Sequence, residues 1–153
     1  MDKYMKIAND NAKKAINKGE GGPFGAVIVD KYGNIIAEGN NRVISKKDPT
    51  AHAEMEAIRN ACEKLDTYDL SDYILYTSCE PCPMCLSAII WANIKKVYYG
   101  CSKEDADNIG FKDNIIYDFI KGNENEILKL EQIDRIECIK TFQKYKENDG
   151  IIY

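Results

Sequence analysis

Ala26-Val27-Ile28-Val29-Asp30-Lys31-Tyr32-Gly33-Asn34-Ile35-Ile36-Ala37 is the stretch from which the fold is read. Two apolar runs, 26–29 and 35–37, flank the turn residues 31–34, and this reads as a β-hairpin. Because each run is continuous rather than alternating, both faces of the strands should be covered. Upstream, Met5, Ile7, Ala8, Ala12, Ala15 and Ile16 recur at helical spacing over 2–17, with Asp2 as N-cap and Gly19 as stop. Downstream, Asp48-Pro49-Thr50 announces a helix over 51–65, 73–77 reads as a strand, Cys82 opens a helix to about 92, and 96–100 is another strand. The order α-β-β-α-β-α-β predicts an α/β protein, a three-layer α/β/α sandwich. Short helices near 103–107 and 114–120, a fifth strand at 127–132 and a final helix over 136–147 complete the expectation. The sheet then has about five strands with helices on both faces, and 1–153 reads as one domain without repeat or linker.

Composition narrows the function class. The 153 residues are 44% apolar, as globular chains are, and no apolar run approaches the ~20 residues of a membrane span. A net charge of −4 gives no global attraction to a phosphate backbone, so a small, weakly charged substrate suits the chain better than nucleic acid or membrane. Six cysteines without an export leader point to a reducing compartment, the cytoplasm, where paired cysteines serve metals more often than disulfides.

The chain has a single histidine, His52, in Asp48-Pro49-Thr50-Ala51-His52-Ala53-Glu54, and later Cys79-Glu80-Pro81-Cys82-Pro83-Met84-Cys85. One imidazole and two thiolates are three good ligands for zinc, which leaves the fourth tetrahedral position for water, the catalytic arrangement. Both half-sites fall at expected helix starts, where unpaired N–H groups and the helix dipole favour thiolates. Cys82 and Cys85, three apart, project to one side of a turn. His52 and Glu54, two apart, would project about 200° apart inside an ideal helix, which is awkward for two ligands of one ion. Glu54 is therefore read as the proton carrier between bound water and substrate.

Ordinary explanations stand beside these. A lone C-x-x-C can be a redox pair or structural half-site, and Cys79 could close a structural site with His52. Cys62, Cys101 and Cys138 lack a partner motif and read as small buried hydrophobes. Trp91, Tyr98 and Tyr99 read as core. Asn40 and Asn41 are usual turn formers, Asp113 sits in a polar stretch, and Tyr153 is a chain end.

With H-x-E and P-C-x-x-C both in place, the chain resembles the cytidine-deaminase superfamily of zinc hydrolases. Within it the chain looks like the bacterial guanine deaminases. Gly22 to Val29, Asp48 to Glu54, Tyr76 to Cys85, Gly110-Phe111-Lys112-Asp113 with Ile116-Tyr117, and the terminal tyrosine all read like that family. The resemblance implies a cytidine-deaminase-like mixed sheet. It implies hydrolysis of guanine to xanthine and ammonia by zinc-activated hydroxide, in purine metabolism, with one Zn2+ and its water per subunit. It implies zinc on His52, Cys82 and Cys85, with Glu54 and Asp113 as catalytic acids. Phe24, Asn41, Ala53 and Tyr153 would contact the purine. A homodimer is implied in which C-terminal segments, about 134–153, exchange as lids. Between about 121 and 150 little similarity is visible.

Alternatives remain at this point. The tRNA adenosine deaminases also carry Asp-Pro-Thr-Ala-His-Ala-Glu, but residues 122–153 are acidic, with Glu124, Glu126, Glu131, Asp134, Glu137, Glu147 and Asp149 against Lys129, Arg135, Lys140, Lys144 and Lys146. Cytosine or another free base fits the same chemistry. A non-catalytic zinc module, with Cys79 as fourth ligand, is the reading from a different class.

Overall fold

The computed structural model describes residues 1–123 and 127–153, and its centre is the hairpin of β1 (Gly25–Asp30) and β2 (Ile35–Asn40). The Asp30 carboxylate closes the turn by accepting from Tyr32 N, Asn34 N and Asn34 Nδ2 at 2.8–2.9 Å. With β3 (Tyr73–Cys79) and β4 (Lys96–Cys101) the strands form a mixed sheet, order β2-β1-β3-β4. β1 is antiparallel to both neighbours, whereas β3 and β4 are parallel.

Alternate residues of β1 serve two cores. Val27 and Val29 face α1 (Lys3–Asn17), where Ala8 is buried with Tyr4, Met5, Ile7, Ile74 and Tyr76 around it. Asp2 caps α1, accepting from Tyr4 N and Met5 N. Ala26 and Ile28 face the opposite layer, with Ala53, Ala57 and Ala61 of α3 (Ala53–Leu65) and Ile89 of α4 (Pro83–Trp91). A short helix, α2 (Val43–Lys46), lies between β2 and α3. The three-layer α/β/α sandwich is thus present.

β2 runs three residues beyond its apolar run because Glu38, Gly39 and Asn40 stay in register with β1. Gly39 lets α3 approach: a Cβ there would lie 2.2 Å from Ala53 O and 2.6 Å from Ala57 N.

The chain separates into two units, Met1–Tyr117 and Asp118–Tyr153. α5 (Lys103–Asn108) completes the first, and α6 (Asn114–Ile120) runs across the boundary. The second carries α7 (Arg135–Glu147), where Lys140 pairs with Glu137 at 2.6 Å and Tyr145 OH donates to Ile151 O at 2.7 Å.

Several expectations are corrected. Residues 127–132 form no strand, and Ile127, Leu128 and Leu130 are exposed, so the described sheet has four strands rather than five. Cys101, on the edge strand β4, and Cys138, on the exposed α7, are not buried, and Cys62 is only half-buried. Trp91, Tyr98 and Tyr99 are exposed rather than core, since α4 ends at Trp91 and, among the described residues, no strand pairs with the outer side of β4. No helix among the described residues is long and apolar enough to cross a membrane.

Candidate active site

The segment 48–52 is held before α3 begins. Asp48 Oδ1 accepts from Thr50 N at 2.8 Å and Thr50 Oγ1 at 2.7 Å, Arg59 donates to Thr50 Oγ1 at 2.9 Å, and Arg42 N donates to Ala51 O. Arg59 and Lys46 also grip the buried Glu56 carboxylate, at 3.0 and 2.6 Å. His52 ends this segment as the N-cap of α3, with extended φ −69°, ψ 158°. The 200° separation expected between His52 and Glu54 therefore does not apply, because His52 stands outside the helix.

Cys82 is the N-cap of α4, again extended, with Pro83 at the first helical position as its fixed φ favours. Its Sγ accepts from Cys85 N at 3.5 Å. His52 Nδ1 lies 3.5 Å from Cys82 Sγ and 3.6 Å from Cys85 Sγ. The three donor atoms all fall within 4.8 Å of one another, a spacing at which one ion can reach all three. Two soft sulfurs and an imidazole are the donor set of a tetrahedral zinc site with one position left over. Cys79 stands outside the cluster, its thiol donating to Ser102 O at 3.6 Å. Burial pushes that thiol up to about 12, which disfavours it as a ligand beside a ready thiolate.

The site's charges follow from these contacts. The hydrogen bond from the Cys85 thiol, with those from His52 and the Cys85 backbone N–H, holds Cys82 down to about 4. Cys85 is pushed up because one negative sulfur is already beside it. The Cys82 thiolate raises the His52 pKa. Glu54, buried in the first turn of α3, is raised by burial, with the Cys82 charge adding to it. Asp113, immediately before α6, is raised by burial and then by Cys82.

A cavity of about 340 Å³ opens over these groups. His52, Glu54, Cys82 and Asp113 line it on one side, and Phe24, Asn41, Val43, Ile44 and Phe111 contribute much of the rest. Asn41 is buried, and its Oδ1 accepts from Val43 N at 3.1 Å, so its amide N–H groups are what it offers a ligand. Gly21 makes room for it: a Cβ there would lie 2.0 Å from Asn41 Oδ1. The Phe24 and Phe111 rings meet edge to face, centroids 4.9 Å apart. The Ala53 side chain joins the core and not the cavity wall, while its N–H, in the first turn of α3, has no acceptor within the helix. Tyr153 ends the second unit and is exposed there. Gly21, Glu80, Ala106 and Phe111 also line the cavity, and no spacing or residue type marks them as cavity residues, because loop geometry brings them there.

Comparison with known proteins agrees with this arrangement. Residues 1–101 match the family described as the cytidine and deoxycytidylate deaminase zinc-binding region. Guanine deaminase of Bacillus subtilis is 51% identical over 94% of this chain and 92% of its own length. A tRNA-specific adenosine deaminase of Haemophilus influenzae is 40% identical over 98% of this chain and 87% of its own. The X-ray structure of the Bacillus subtilis guanine deaminase superposes with a TM-score of 0.88 at 47% identity, covering 96% of this chain and 95% of that one.

Proposed function

Because the chain belongs to the cytidine and deoxycytidylate deaminase zinc-binding family, we propose that it hydrolyses guanine to xanthine and ammonia. The observation that carries this reading is the convergence of His52 Nδ1, Cys82 Sγ and Cys85 Sγ, with His52, Cys82 and the buried Glu54 lining one purine-sized cavity. The likeness to a guanine deaminase across nearly the whole chain supports the base.

His52, Cys82 and Cys85 would hold zinc. When bound, zinc acidifies a water to a pKa of roughly 7, which makes a nucleophile available at neutral pH. Glu54 would accept a proton from water and deliver it to a ring nitrogen next to the amino-bearing carbon, then take a second proton from the hydroxyl added at that carbon and pass it to the amine, which leaves as ammonia. A carboxyl raised by burial suits both directions of transfer. Asp113, also raised, accepts a hydrogen bond from the exocyclic amine and helps it leave as ammonia. Asn41 donates its amide to a purine acceptor, the Ala53 N–H gives a second donor, and Phe24 packs on the ring. A site that needs two reduced cysteines works in the reducing cytoplasm.

The same reading includes a homodimer with exchanged C-terminal lids carrying Tyr153. The first unit exposes Leu86, Ile90 and Trp91 of α4 with Tyr98 and Tyr99 of β4, and the second exposes Ile136 and Phe142 of α7. Large apolar groups left exposed favour association with a second copy. The alternative is deamination of adenosine in tRNA, favoured by the 40% identity to such an enzyme.

Ammonia release measured with guanine, adenine, cytosine, cytidine, guanosine and tRNA separates these. Guanine is expected to dominate. Turnover of tRNA adenosine or cytosine in its place would overturn the guanine reading while leaving the deaminase chemistry standing.

A further inference from the structure

Glu80 stands between the end of β3 and the thiolate loop, and it lines the cavity. Its backbone N–H donates to Cys101 O at 2.8 Å, and its Oε2 accepts from Lys103 N at 3.0 Å. Lys103 is the first residue of α5, whose cap, Ser102, accepts from Asp105 N instead. The Lys103 N–H, one of the helix's unpaired first-turn donors, is therefore satisfied by Glu80 rather than by the local cap. α5 leads directly into the stretch that carries Phe111 and Asp113, tied back through Phe111 N to Ala106 O at 3.0 Å. One carboxylate thus joins the loop bearing Cys82 to the wall bearing Phe111 and Asp113.

We infer that Glu80 is a positioning residue: by holding Lys103 N it sets the gap between the thiolate loop and the Phe111–Asp113 wall, and with it the fit of the planar base. The kinetic part of this inference rests on the proposed guanine deaminase activity. Glu80 acts through the acceptor oxygen it offers, so a neutral acceptor of the same shape serves. Proline at position 103 removes the N–H without disturbing the helix, because the first helical position accepts it and Ser102, at ψ 170°, already has the extended conformation that precedes proline.

The test compares Glu80→Ala, Glu80→Gln, Lys103→Pro and Lys103→Ala for kcat and KM with guanine and for bound zinc. It also follows the nuclear Overhauser effect between the Phe24 and Phe111 rings. Glu80→Ala and Lys103→Pro should each raise KM roughly tenfold with a smaller fall in kcat, keep zinc, and weaken the ring–ring signal. Glu80→Gln should recover most of the loss, and Lys103→Ala, which keeps the N–H, should match the parent chain. Unchanged KM and ring signal in Lys103→Pro would overturn the inference, as would zinc lost in proportion to kcat or a Glu80→Gln as damaging as Glu80→Ala. If Glu80→Ala does not fold, Lys103→Pro decides alone. If the parent chain does not act on guanine, it is the proposed function that fails, and the ring signal still judges Glu80.

Discussion

Glu54 Oε2 lies 3.5 Å from Cys85 Sγ, so the buried acid touches one of the three grouped metal donors without being one of them. That separation of roles makes the first prediction. Glu54→Gln keeps shape and burial but cannot carry a proton, so turnover should fall by at least ~10²-fold. Zinc content, read by atomic absorption, should stay at one per chain. Normal turnover in this variant would leave only a structural zinc module.

Of the three donors, Cys82 is held as the negative sulfur, while Cys85 and His52 are both raised. Zinc requires all three deprotonated, so binding near pH 7 must displace the Cys85 proton and a share of the His52 proton, roughly one to two protons in total. The sign is fixed: affinity falls as pH falls. Calorimetry in two buffers of different ionisation enthalpy reads the count, and a pH-independent affinity contradicts the assignment. Chelation should also lower Tm, since free zinc at about 100-fold over Kd stabilises the folded chain by about 2.7 kcal/mol.

Which parts of this were readable from residues alone follows from what is local. Cys82, Cys85, His52 and Glu54 lie within one turn of a helix start, and Asp2 and Pro83 act on their immediate surroundings, so spacing and residue type mark most of them. The hairpin was readable because Ala26–Val29 is apolar without interruption, as a strand covered on two faces requires. Its second strand was read too short because Gly39 was selected by the backbone of α3, not by strand propensity. The strand expected at 127–132 failed for the opposite reason. Ile127, Leu128 and Leu130 have the right side chains, but a strand exists only where an edge pairs with it, and no local pattern reports a partner. The exposure of Trp91, Tyr98 and Cys101 has the same origin: β4 is an edge, a property of topology.

Asn41 and Gly21 give a prediction about the base-binding wall. A methyl group on Gly21 would take the place of Asn41 Oδ1, 2.0 Å from the ideal Cβ, and also press on Asn41 O at 2.8 Å. Gly21→Ala should displace the amide and raise KM for guanine roughly tenfold while zinc binding is unchanged. Asn41→Ala should act alike, and the double variant should be no worse than either single one. Additive losses would show that Gly21 acts elsewhere.

The acidic balance of the chain sets the response to salt. With a net charge of −4 and a neutral base as substrate, kcat/KM for guanine should change little between 50 and 200 mM salt. An enzyme that grips tRNA through 6–10 phosphates loses about 10³–10⁵ in affinity over that range. A steep salt dependence of turnover would therefore favour the tRNA reading and count against the free base.

The exchanged lid can be tested by mixing two inactive chains. Glu54→Gln leaves Tyr153 intact, and Tyr153→Ala leaves Glu54 intact. If each C-terminal segment covers its own subunit's cavity, no mixed dimer contains a complete site, and activity stays at the sum of the separate variants. If the segments cross, a mixed dimer joins the good Glu54 of one chain with the good Tyr153 of the other in one of its two sites. Half of randomly re-associated dimers are mixed, so about a quarter of the parent activity should return. Co-expression with two affinity tags isolates the mixed species, in which recovery should rise to about half. A purified mixed dimer no more active than Tyr153→Ala alone rules out exchange.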